Sequence, residues 1–280
     1  MSVVEFDYNA FLDGLALQQG DILDVASDMF SIGSYCYECG LQFDPNHLID
    51  AIIAKVGDEG TVMIRTFTWD FCNGKGFDIR KSCGQVGRLG NVARKRPDFQ
   101  RTKHPIYNWM VKGKYADYLT SLENVNGVGD DSPFAFMSQN HAKFCVLGTV
   151  AAGDANTFFH YCENHIGVPY RKEKIFEGEY IDQEGKKSIR RYSVLVRPKN
   201  YSISVTDQML VEWHQWLMEQ GYEKSIFYDE TILRRIYDCT IANAVFIDEI
   251  MNNDGKRVLL CNGVKGYKAS GIDWDMAYYY

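Results

Sequence analysis

The sequence predicts an α/β protein in which a mixed central sheet is flanked by helices, with a smaller subdomain attached. Short apolar segments alternate with amphipathic ones along the chain, as strands and helices alternate in this fold class. The 280 residues are enough for one large core, and no linker divides them. We therefore expect a single domain over residues 1–280, with a hairpin-containing insertion at about residues 172–206.

The predicted elements follow from apolar periodicity and from capping residues. Asp44 is a suitable N-cap, and Pro45 suits the first position of a helix. Leu210, Trp213 and Leu217 form the apolar face of a later helix. The predicted strands cover residues 21–25, 61–64, 144–147, 244–247 and 258–260, and the predicted helices cover residues 44–56, 111–122, 207–220 and 230–239.

Two longer segments differ from these regular elements. Residues 71–101 are rich in Gly, Lys and Arg and show little periodicity, which predicts a long, ordered functional loop. Residues 177–197 alternate in polarity around a Gln-Glu-Gly turn, which predicts a β-hairpin.

Composition and charge exclude several classes of protein. The chain is 46% hydrophobic and 24% charged, which is typical of a globular domain. No run approaches the ~20 apolar residues of a membrane helix, and a net charge of −7 argues against nucleic acid as the main partner. Residues 1–9 lack the basic start of a secretory signal, so we expect a cytoplasmic protein.

The cysteines predict ordinary thiols. Cys36 and Cys39 form a C-x-x-C pair, but no second pair or nearby His completes a zinc site. Cys145 and Cys261 lie within apolar runs that predict buried strands. Without a signal peptide, a reduced cytosolic state is the default, and we expect no bound metal ion. A redox or metal-binding role of the C-x-x-C pair is the less favoured alternative.

The sharpest local pattern is Thr157-x-x-His160-x-x-Glu163, which follows the predicted strand at residues 144–147. Residues three apart lie on adjacent turns of a helix, so these side chains can touch in pairs. Ligands of α/β proteins bind where a strand end meets a helix start, and a His there can act as a general base whose tautomer a carboxylate sets. The plainer alternative is a helix start capped by Asn156 or Thr157, with a half-buried His.

Two other segments carry residues that suit ligand binding. His104 precedes Pro105, so its backbone is extended and it lies in a fixed turn; a basic surface turn is the alternative. In residues 27–33, small hydroxylated residues and Gly33 would let backbone N–H groups approach a phosphate. The sequence has neither a nucleotide-triphosphate loop nor a dinucleotide-binding fingerprint.

Taken in order, these segments resemble the aminoglycoside 3-N-acetyltransferase family, including its relatives that acylate amino sugars of surface polysaccharides. The resemblance covers about residues 20–171, and the last third of the chain resembles the family only loosely. The motifs that carry it are residues 25–33, residues 57–69, residues 84–94, Arg101-x-x-His104-Pro105, Ser132-Pro133, Leu147-Gly148 and Thr157-x-x-His160-x-x-Glu163.

Three positions depart from the family's usual pattern. The family usually has His where Ala26 stands, and Pro where Arg65 ends the second strand. Asn108 replaces a common Ser after the His-Pro turn. These changes leave the expected acyl transfer untouched and bear on the identity of the acceptor.

The resemblance implies direct transfer of an acyl group from a coenzyme A thioester to a primary amine within a ternary complex. His160 is the expected general base, Glu163 orients it, and Thr157 can donate to the thioester oxygen. The expected acceptor-side residues are His104, Asn108, Asp131, Tyr170 and Arg171. The expected CoA-side residues are Ser27, Ser31, Gly33, Thr66 and Thr68.

Two alternative functions stay open. In the first, Cys162, which lies within the Thr157-x-x-His160-x-x-Glu163 segment, would carry the acyl group as a thioester intermediate. Residues two apart on a helix do not face each other, so His160 could not easily activate this thiol. The other alternative is a non-catalytic binding module that retains the fold.

The sequence favours a nucleotide-linked amino sugar of a surface polysaccharide such as lipopolysaccharide as the acceptor. Basic and aromatic residues near the acceptor segments, such as Lys103 and Tyr107, suit a pyrophosphate and a flat base. An aminoglycoside carries several positive charges and would want a cluster of carboxylates, so antibiotic modification is the alternative. We expect no nucleic-acid or membrane partner, and a homodimer stays open.

Overall fold

The computed structural model describes residues 4–148 and 157–279. Its centre is a mixed β-sheet flanked by helices, accompanied by smaller sheets. This arrangement confirms the predicted fold class. The single-domain organisation stays a prediction.

The helices and strands alternate along most of the chain. The α-helices are α1 (Tyr8–Leu12), α2 (Met29–Glu38), α3 (Pro45–Val56), α4 (Leu89–Ala93), α5 (Ala116–Ser121), α6 (Pro133–Gln139), α7 (Phe158–Ile166), α8 (Asp207–Glu219) and α9 (Cys239–Asn253). The strands are β1 (Val4–Glu5), β2 (Ile22–Ser27), β3 (Leu41–Gln42), β4 (Thr61–Arg65), β5 (Phe77–Asp78), β6 (Gln100–Arg101), β7 (Trp109–Gly113), β8 (Lys143–Leu147), β9 (Lys172–Ile181), β10 (Lys187–Val196), β11 (Ile203–Ser204), β12 (Glu223–Tyr228), β13 (Ile232–Asp238), β14 (Leu260–Cys261) and β15 (Val264–Lys265). Single 3₁₀ turns lie at Phe71–Asn73 and Trp274–Met276.

In the described residues, the central sheet has seven strands in the order β12-β13-β8-β2-β4-β7-β6. Strand β2 pairs in parallel with β4 and β8, and the outer pairs are antiparallel. Successive side chains point to opposite faces, so Leu23 and Val25 pack against α1–α4 while Met63 packs on the side of α5–α9. Helices therefore cover both faces, and the carboxyl ends of β2, β4 and β8 lie at one edge.

The predicted hairpin is present and longer than expected. Strands β9 and β10 pair antiparallel over ten residues each, and β5 adds in parallel beside β9. The turn closes because Lys186 N–H donates to the Asp182 side chain at 2.8 Å, and Gly185 takes the left-handed conformation that the turn requires. The hairpin contacts the main body at several points: Tyr192 meets Phe71 edge to face, and the Ser193 N–H donates to the Val125 carbonyl at 2.9 Å.

Several predicted elements near the end of the chain are wrong. Residues 230–239 are not a helix, because residues 232–238 form β13 between β12 and β8. The strand is buried on both faces, so its apolar residues do not alternate and their spacing imitates a helix. The predicted strand at residues 244–247 lies inside α9, whose start Asp238 caps by accepting from the Thr240 and Ile241 N–H groups. The predicted strand at residues 258–260 is displaced to β14.

The predicted helix at residues 111–122 is correct only in its second half. Residues 109–113 form β7, which pairs with β4, and the helix is the short α5. Residues 71–101 are mainly irregular, as predicted, although they include α4 and the short strands β5 and β6. Within the described ranges, no helix has both the length and the apolar character needed to cross a membrane.

Candidate active site

Two cavities lie next to each other at the carboxyl edge of the central sheet. The first, of about 210 Å³, is bordered by the ends of β2, β4 and β8 and by residues 86–90. The second, of about 420 Å³, is bordered by α7, by Arg171 and by apolar residues of the C-terminal third. Thr157 and Trp69 border both cavities. The two cavities therefore adjoin at these two side chains.

The Thr157-x-x-His160-x-x-Glu163 pattern forms the start of α7, with His160 and Glu163 on the wall of the second cavity. His160 Nδ1 lies 2.7 Å from Glu163 Oε2, and Arg171 Nε lies 2.6 Å from the same oxygen. A carboxylate can only accept, so His160 Nδ1 carries a proton and the other ring nitrogen, Nε2, is left as an acceptor. The structure therefore brings His160 and Glu163 into contact, as helical spacing predicts, and it adds Arg171, which the sequence placed on the acceptor side, to the same carboxylate.

The electrostatics of this trio favour a neutral imidazole beside a charged carboxylate. Burial lowers the pKa of His160 from its ordinary value of 6.5, and the positive charge of Arg171 adds to the effect, while Glu163 opposes it. Burial alone would raise the pKa of Glu163, but the charge of Arg171 and the interaction with His160, which includes a hydrogen bond, outweigh it and lower the pKa. His160, whose side chain is 28% exposed, can therefore accept a proton near neutral pH.

Thr157 lies at the N-cap position of α7, but its side chain makes no capping hydrogen bond. The threonine is 8% exposed and borders both cavities. The alternative cap, Asn156, lies outside the described residues.

The segment that was expected to cradle a phosphate is a helix start and not a loop. Ser27 ends β2 and borders the first cavity, whereas Ser31 and Gly33 lie within α2. The Asp28 side chain accepts from the Phe30 and Ser31 N–H groups and from the Ser31 hydroxyl. These donors are already used by a carboxylate, so a phosphate at this helix start would compete with a negative charge.

Gly33 borders a separate recess, of about 410 Å³, with Phe30, Tyr37 and Arg88 on its other sides. Thr66 and Thr68, at 0% and 1% exposure, lie behind the wall of the first cavity. Their backbone N–H groups donate to the carbonyls of Asn108 and Ile106, so they join β4 to the segment before β7.

Helix α4 approaches the end of β4 unusually closely. A side chain on Gly90 would begin 2.2 Å from the Arg65 carbonyl oxygen, so only glycine fits there. This contact places Val86, Gly87 and Gly90 against the first cavity.

A buried ion pair lies beneath the first cavity and was not anticipated from the sequence. Arg65 Nη2 lies 2.6 Å from Asp24 Oδ2, and the Trp109 indole donates to Asp24 Oδ1 at 2.9 Å. The Arg65 guanidinium also stacks 4.1 Å from the centre of the Phe144 ring. Arg65 borders the cavity at the position where the family usually has Pro, so the departure noted in the sequence lies at the cavity floor.

The acceptor-side candidates before β7 are interior residues. His104 is 1% exposed; its Nδ1 accepts from the Ile106 and Tyr107 N–H groups, and burial lowers its pKa to about 3. It lies behind Tyr107, which stacks on it and borders the second cavity. Asn108 is fully buried and accepts from Arg101 Nε at 2.9 Å. Both residues hold the turn, and neither borders either cavity.

The other acceptor-side candidates differ in position. Tyr170 is fully buried; burial raises the pKa of its phenol well above the ordinary value, and the negative charge of Glu163 adds to that rise. Arg171 borders the second cavity, with its side chain 12% exposed. Asp131 is exposed and borders neither cavity. Of the five acceptor-side candidates, Arg171 is therefore the one that contacts the second cavity.

Sequence reasoning missed several residues of the second cavity. Its apolar wall includes Phe159 and Phe246, whose rings stack at 4.0 Å, and its charged rim includes Arg197. These residues come from elements far apart in the chain, so no local spacing could reveal them. Trp69 had a weak signal, because it ends the Thr-Phe-Thr-Trp stretch after β4.

Cys162 lies on the opposite side of α7 from this cavity. It is fully buried, its Sγ lies 3.7 Å from the Phe158 carbonyl oxygen, and burial raises the pKa of its thiol well above the ordinary value. A thiol in this environment stays protonated and is a poor nucleophile.

Known proteins share both the sequence pattern and the fold. The sequence profile described as aminoglycoside 3-N-acetyltransferase matches residues 25–236. The SPbeta prophage-derived aminoglycoside N(3')-acetyltransferase-like protein YokD of Bacillus subtilis (strain 168) is 26% identical over 207 residues, which are 66% of this chain and 72% of that protein.

Two solved structures have the same fold at low sequence identity. Aminoglycoside acetyltransferase AAC(3)-Xa superposes with a TM-score of 0.70 at 20% identity, covering 87% of this chain and 90% of that one. The AAC-IIIb binary complex with CoASH has a TM-score of 0.70 at 18% identity, covering 88% and 95%.

The fold and the profile match together define an acyltransferase. The chain belongs to the aminoglycoside 3-N-acetyltransferase family.

Proposed function

We propose that the protein transfers an acyl group from a coenzyme A thioester to a primary amine of an amino sugar, with His160 as the general base. The observation that carries this proposal is the meeting of the two cavities at Thr157 and Trp69, with His160 and Glu163 on one side of the junction. A donor in the first cavity and an acceptor in the second would react directly, without a covalent enzyme intermediate.

The chemistry uses each member of the trio. A sugar ammonium must lose a proton before its nitrogen can attack the thioester carbon, and His160 Nε2 accepts that proton. The new C–N bond forms as the carbonyl oxygen gains charge; the C–S bond then breaks, and the leaving thiolate takes the proton from the imidazolium. The nitrogen still carries a surplus proton, which passes to the neutral His160 and from there to solvent, so that a neutral amide and a free thiol result. Glu163 stabilises the imidazolium through Nδ1, and Arg171 holds the carboxylate in place.

The developing oxyanion needs a donor close to the cavity junction. The Thr157 hydroxyl belongs to the side chain that borders both cavities, so it is our candidate for this donor.

The first cavity suits the acyl end of coenzyme A better than its phosphates. Its walls include Ala26, Val86 and Val146, which would pack against the pantetheine arm. The Asp28 carboxylate occupies the donors at the start of α2. We therefore place the pyrophosphate beyond this helix start, towards the recess beside Gly33 and Arg88.

For the acceptor, the family and the relatives favour an aminoglycoside-type amino sugar over a nucleotide-linked one. One observation keeps the nucleotide-linked sugar as a second candidate. The charged side chains on the described wall of the second cavity are Glu163, Arg171 and Arg197, and Glu163 is already engaged by His160 and Arg171. A polycation would therefore find no unengaged carboxylate on this described wall. An anionic group would find two arginines.

The test follows CoA thiol release from acetyl-CoA with a panel of acceptors. One set contains aminoglycosides with a free 3-amino group, and the other contains nucleotide-linked amino sugars. Turnover of any panel amine, with the acyl group found on its nitrogen, supports acyl transfer, and the better set identifies the acceptor class. Thiol release that no amine accelerates would overturn the proposal.

A further inference from the structure

A third cavity, of about 420 Å³, lies at the C-terminal end of α4. It is bordered by Arg94 at that helix end, by the β6–β7 edge and by the turn of the β9–β10 hairpin. Its basic lining consists of Arg80, Arg94, Arg101 and Lys103. None of these four residues borders the first or the second cavity.

The positive charges of this cavity are only half compensated by the described residues. Arg80 pairs with Asp78 at 3.0 Å, and Lys103 pairs with Glu123. Arg94 and Arg101 contact no carboxylate within residues 4–148 and 157–279. Two guanidinium groups therefore line the same cavity without a carboxylate of the described residues in contact with either, and their mutual repulsion is relieved if an anion joins them.

Arg101 is held as a fixed part of the cavity wall. It is 3% exposed, and its Nη1 donates to the Ser82 carbonyl at 2.6 Å and to the Ile79 carbonyl at 3.3 Å. Burial lowers the pKa of its guanidinium to about 10, and the positive charge of Arg94 adds to that effect. These carbonyl partners orient the charge and leave it unneutralised.

Arg94 has unused hydrogen-bonding capacity. Its Nη1 reaches the Arg80 carbonyl only at 3.3 Å, and its Nη2 reaches Cys83 Sγ only at 3.6 Å. Its buried Nε has no acceptor among the described residues. A guanidinium presents five N–H donors, so two long contacts leave room for a bidentate oxyanion.

We infer that this third cavity binds an oxyanion of the phosphate type, either free phosphate or the phosphate group of a small monoester, between Arg94 and Arg101. The anion would neutralise both guanidinium groups and join α4 to β6. Residues 86–90 of the same segment form a wall of the first cavity, so the bound anion also braces that wall. This inference does not depend on the proposed reaction.

The test measures the melting temperature and the dissociation constant of the full chain with inorganic phosphate, with glycerol 3-phosphate, and with chloride at equal ionic strength. We expect a saturable rise in melting temperature with at least one phosphate ligand and none with chloride. If inorganic phosphate binds more tightly than glycerol 3-phosphate, the ligand is free phosphate; the opposite order identifies the phosphate group of a monoester. The substitution Arg94→Met removes the charge while keeping the length, and it should weaken binding about 10-fold or more.

Lys95→Met is the matched control, because it removes the same charge from an exposed neighbour outside the cavity. It should leave the dissociation constant unchanged. Arg94→Lys keeps the charge and loses the planar fork, so its affinity should fall between those of the native protein and Arg94→Met. A response to phosphate that matches chloride, or equal affinities in Arg94→Met and Lys95→Met, would overturn the inference.

Discussion

The protein contains two histidine–glutamate pairs with nearly the same geometry and different surroundings. His160 Nδ1 lies 2.7 Å from Glu163 Oε2, and His214 Nδ1 lies 2.6 Å from Glu223 Oε2. Each glutamate also has an arginine beside it: Arg171 at 2.6 Å in the first pair and Arg235 at 3.5 Å in the second. By contact distances alone, the two clusters could exchange roles.

Their positions separate them. The His160 side chain is 28% exposed and borders the second cavity, whereas the His214 side chain is 6% exposed and packs between α8 and β12. Glu223 also accepts from the Ser225 hydroxyl at 2.6 Å, so the second cluster is a closed network. A His–Glu pair is therefore a candidate for catalysis only where one ring nitrogen can reach a substrate.

The largest expected difference between the two pairs is in turnover. His160→Asn should lower kcat about 100-fold or more, because the ammonium of the acceptor then has no base. The folded state should keep its melting temperature, because Arg171 still pairs with Glu163. The measurement is thiol release at saturating donor and acceptor, beside a thermal melt. If kcat stays within a few-fold of the native value, His160 is not the base.

The second expected effect concerns the carboxylate of the reactive pair. Glu163→Gln should lower kcat about 10- to 100-fold, in the range typical of groups that orient a functional imidazole. It removes the negative charge that favours the imidazolium, while Arg171 continues to oppose it, so the pKa of His160 falls further. In the pH profile of kcat, the plateau should therefore be lower than that of the native protein, and the acidic limb should lie at lower pH. An acidic limb that moves to higher pH would contradict this role for Glu163.

The sequence could show one of these pairs and not the other, for a geometric reason. His160 and Glu163 are three residues apart on one helix, so their contact follows from helical spacing. His214 and Glu223 belong to α8 and β12, and only the packing of these elements brings them together. The same limit hid Arg197, which reaches the second cavity from beyond the hairpin.

The secondary structure could be predicted where a segment is amphipathic. The prediction failed where a segment is buried on both faces. The helix α3 begins after Asp44 as the sequence predicts, because its cap and its apolar spacing agree. Strand β13 was mistaken for a helix, because both of its faces are covered and nothing alternates. The resemblance to the family identified the motif of α7, but it could not show that Thr66 and His104 lie behind the cavity walls.

The third expected effect concerns the closed pair. His214→Gln should destabilise the folded state by about 1–3 kcal/mol, because it leaves part of a buried network without its partner. Turnover of the folded protein should stay within about two-fold of native, since His214 borders neither cavity. Urea unfolding gives the free energy, and thiol release gives the turnover. A loss of kcat with unchanged stability would reverse the roles assigned to the two pairs.

The smallest expected effect concerns the pH at which kcat/KM falls because His160 of the reactive pair becomes protonated. Burial is the main cause that lowers the pKa of His160 below 6.5, and Arg197 adds the weakest of the positive charges that act on it. A general base must be unprotonated, so kcat/KM should fall as the pH drops through this lowered pKa. Arg197→Met removes one opposing charge, so the pKa of His160 should rise and the acidic limb should move to higher pH.

The shift for Arg197→Met should be a few tenths of a pH unit, because exposed charges are screened by water and salt. It should shrink further as the ionic strength is raised. Lys199→Met is the matched control: it removes an exposed charge two residues away, whose ammonium lies over the Tyr278 ring and outside the second cavity. Its pH profile of kcat/KM should superimpose on the native one. If Arg197→Met moves the acidic limb to lower pH, or if the control moves it equally, Arg197 does not act on His160 through the cavity, and the low pKa then results from burial and Arg171 alone.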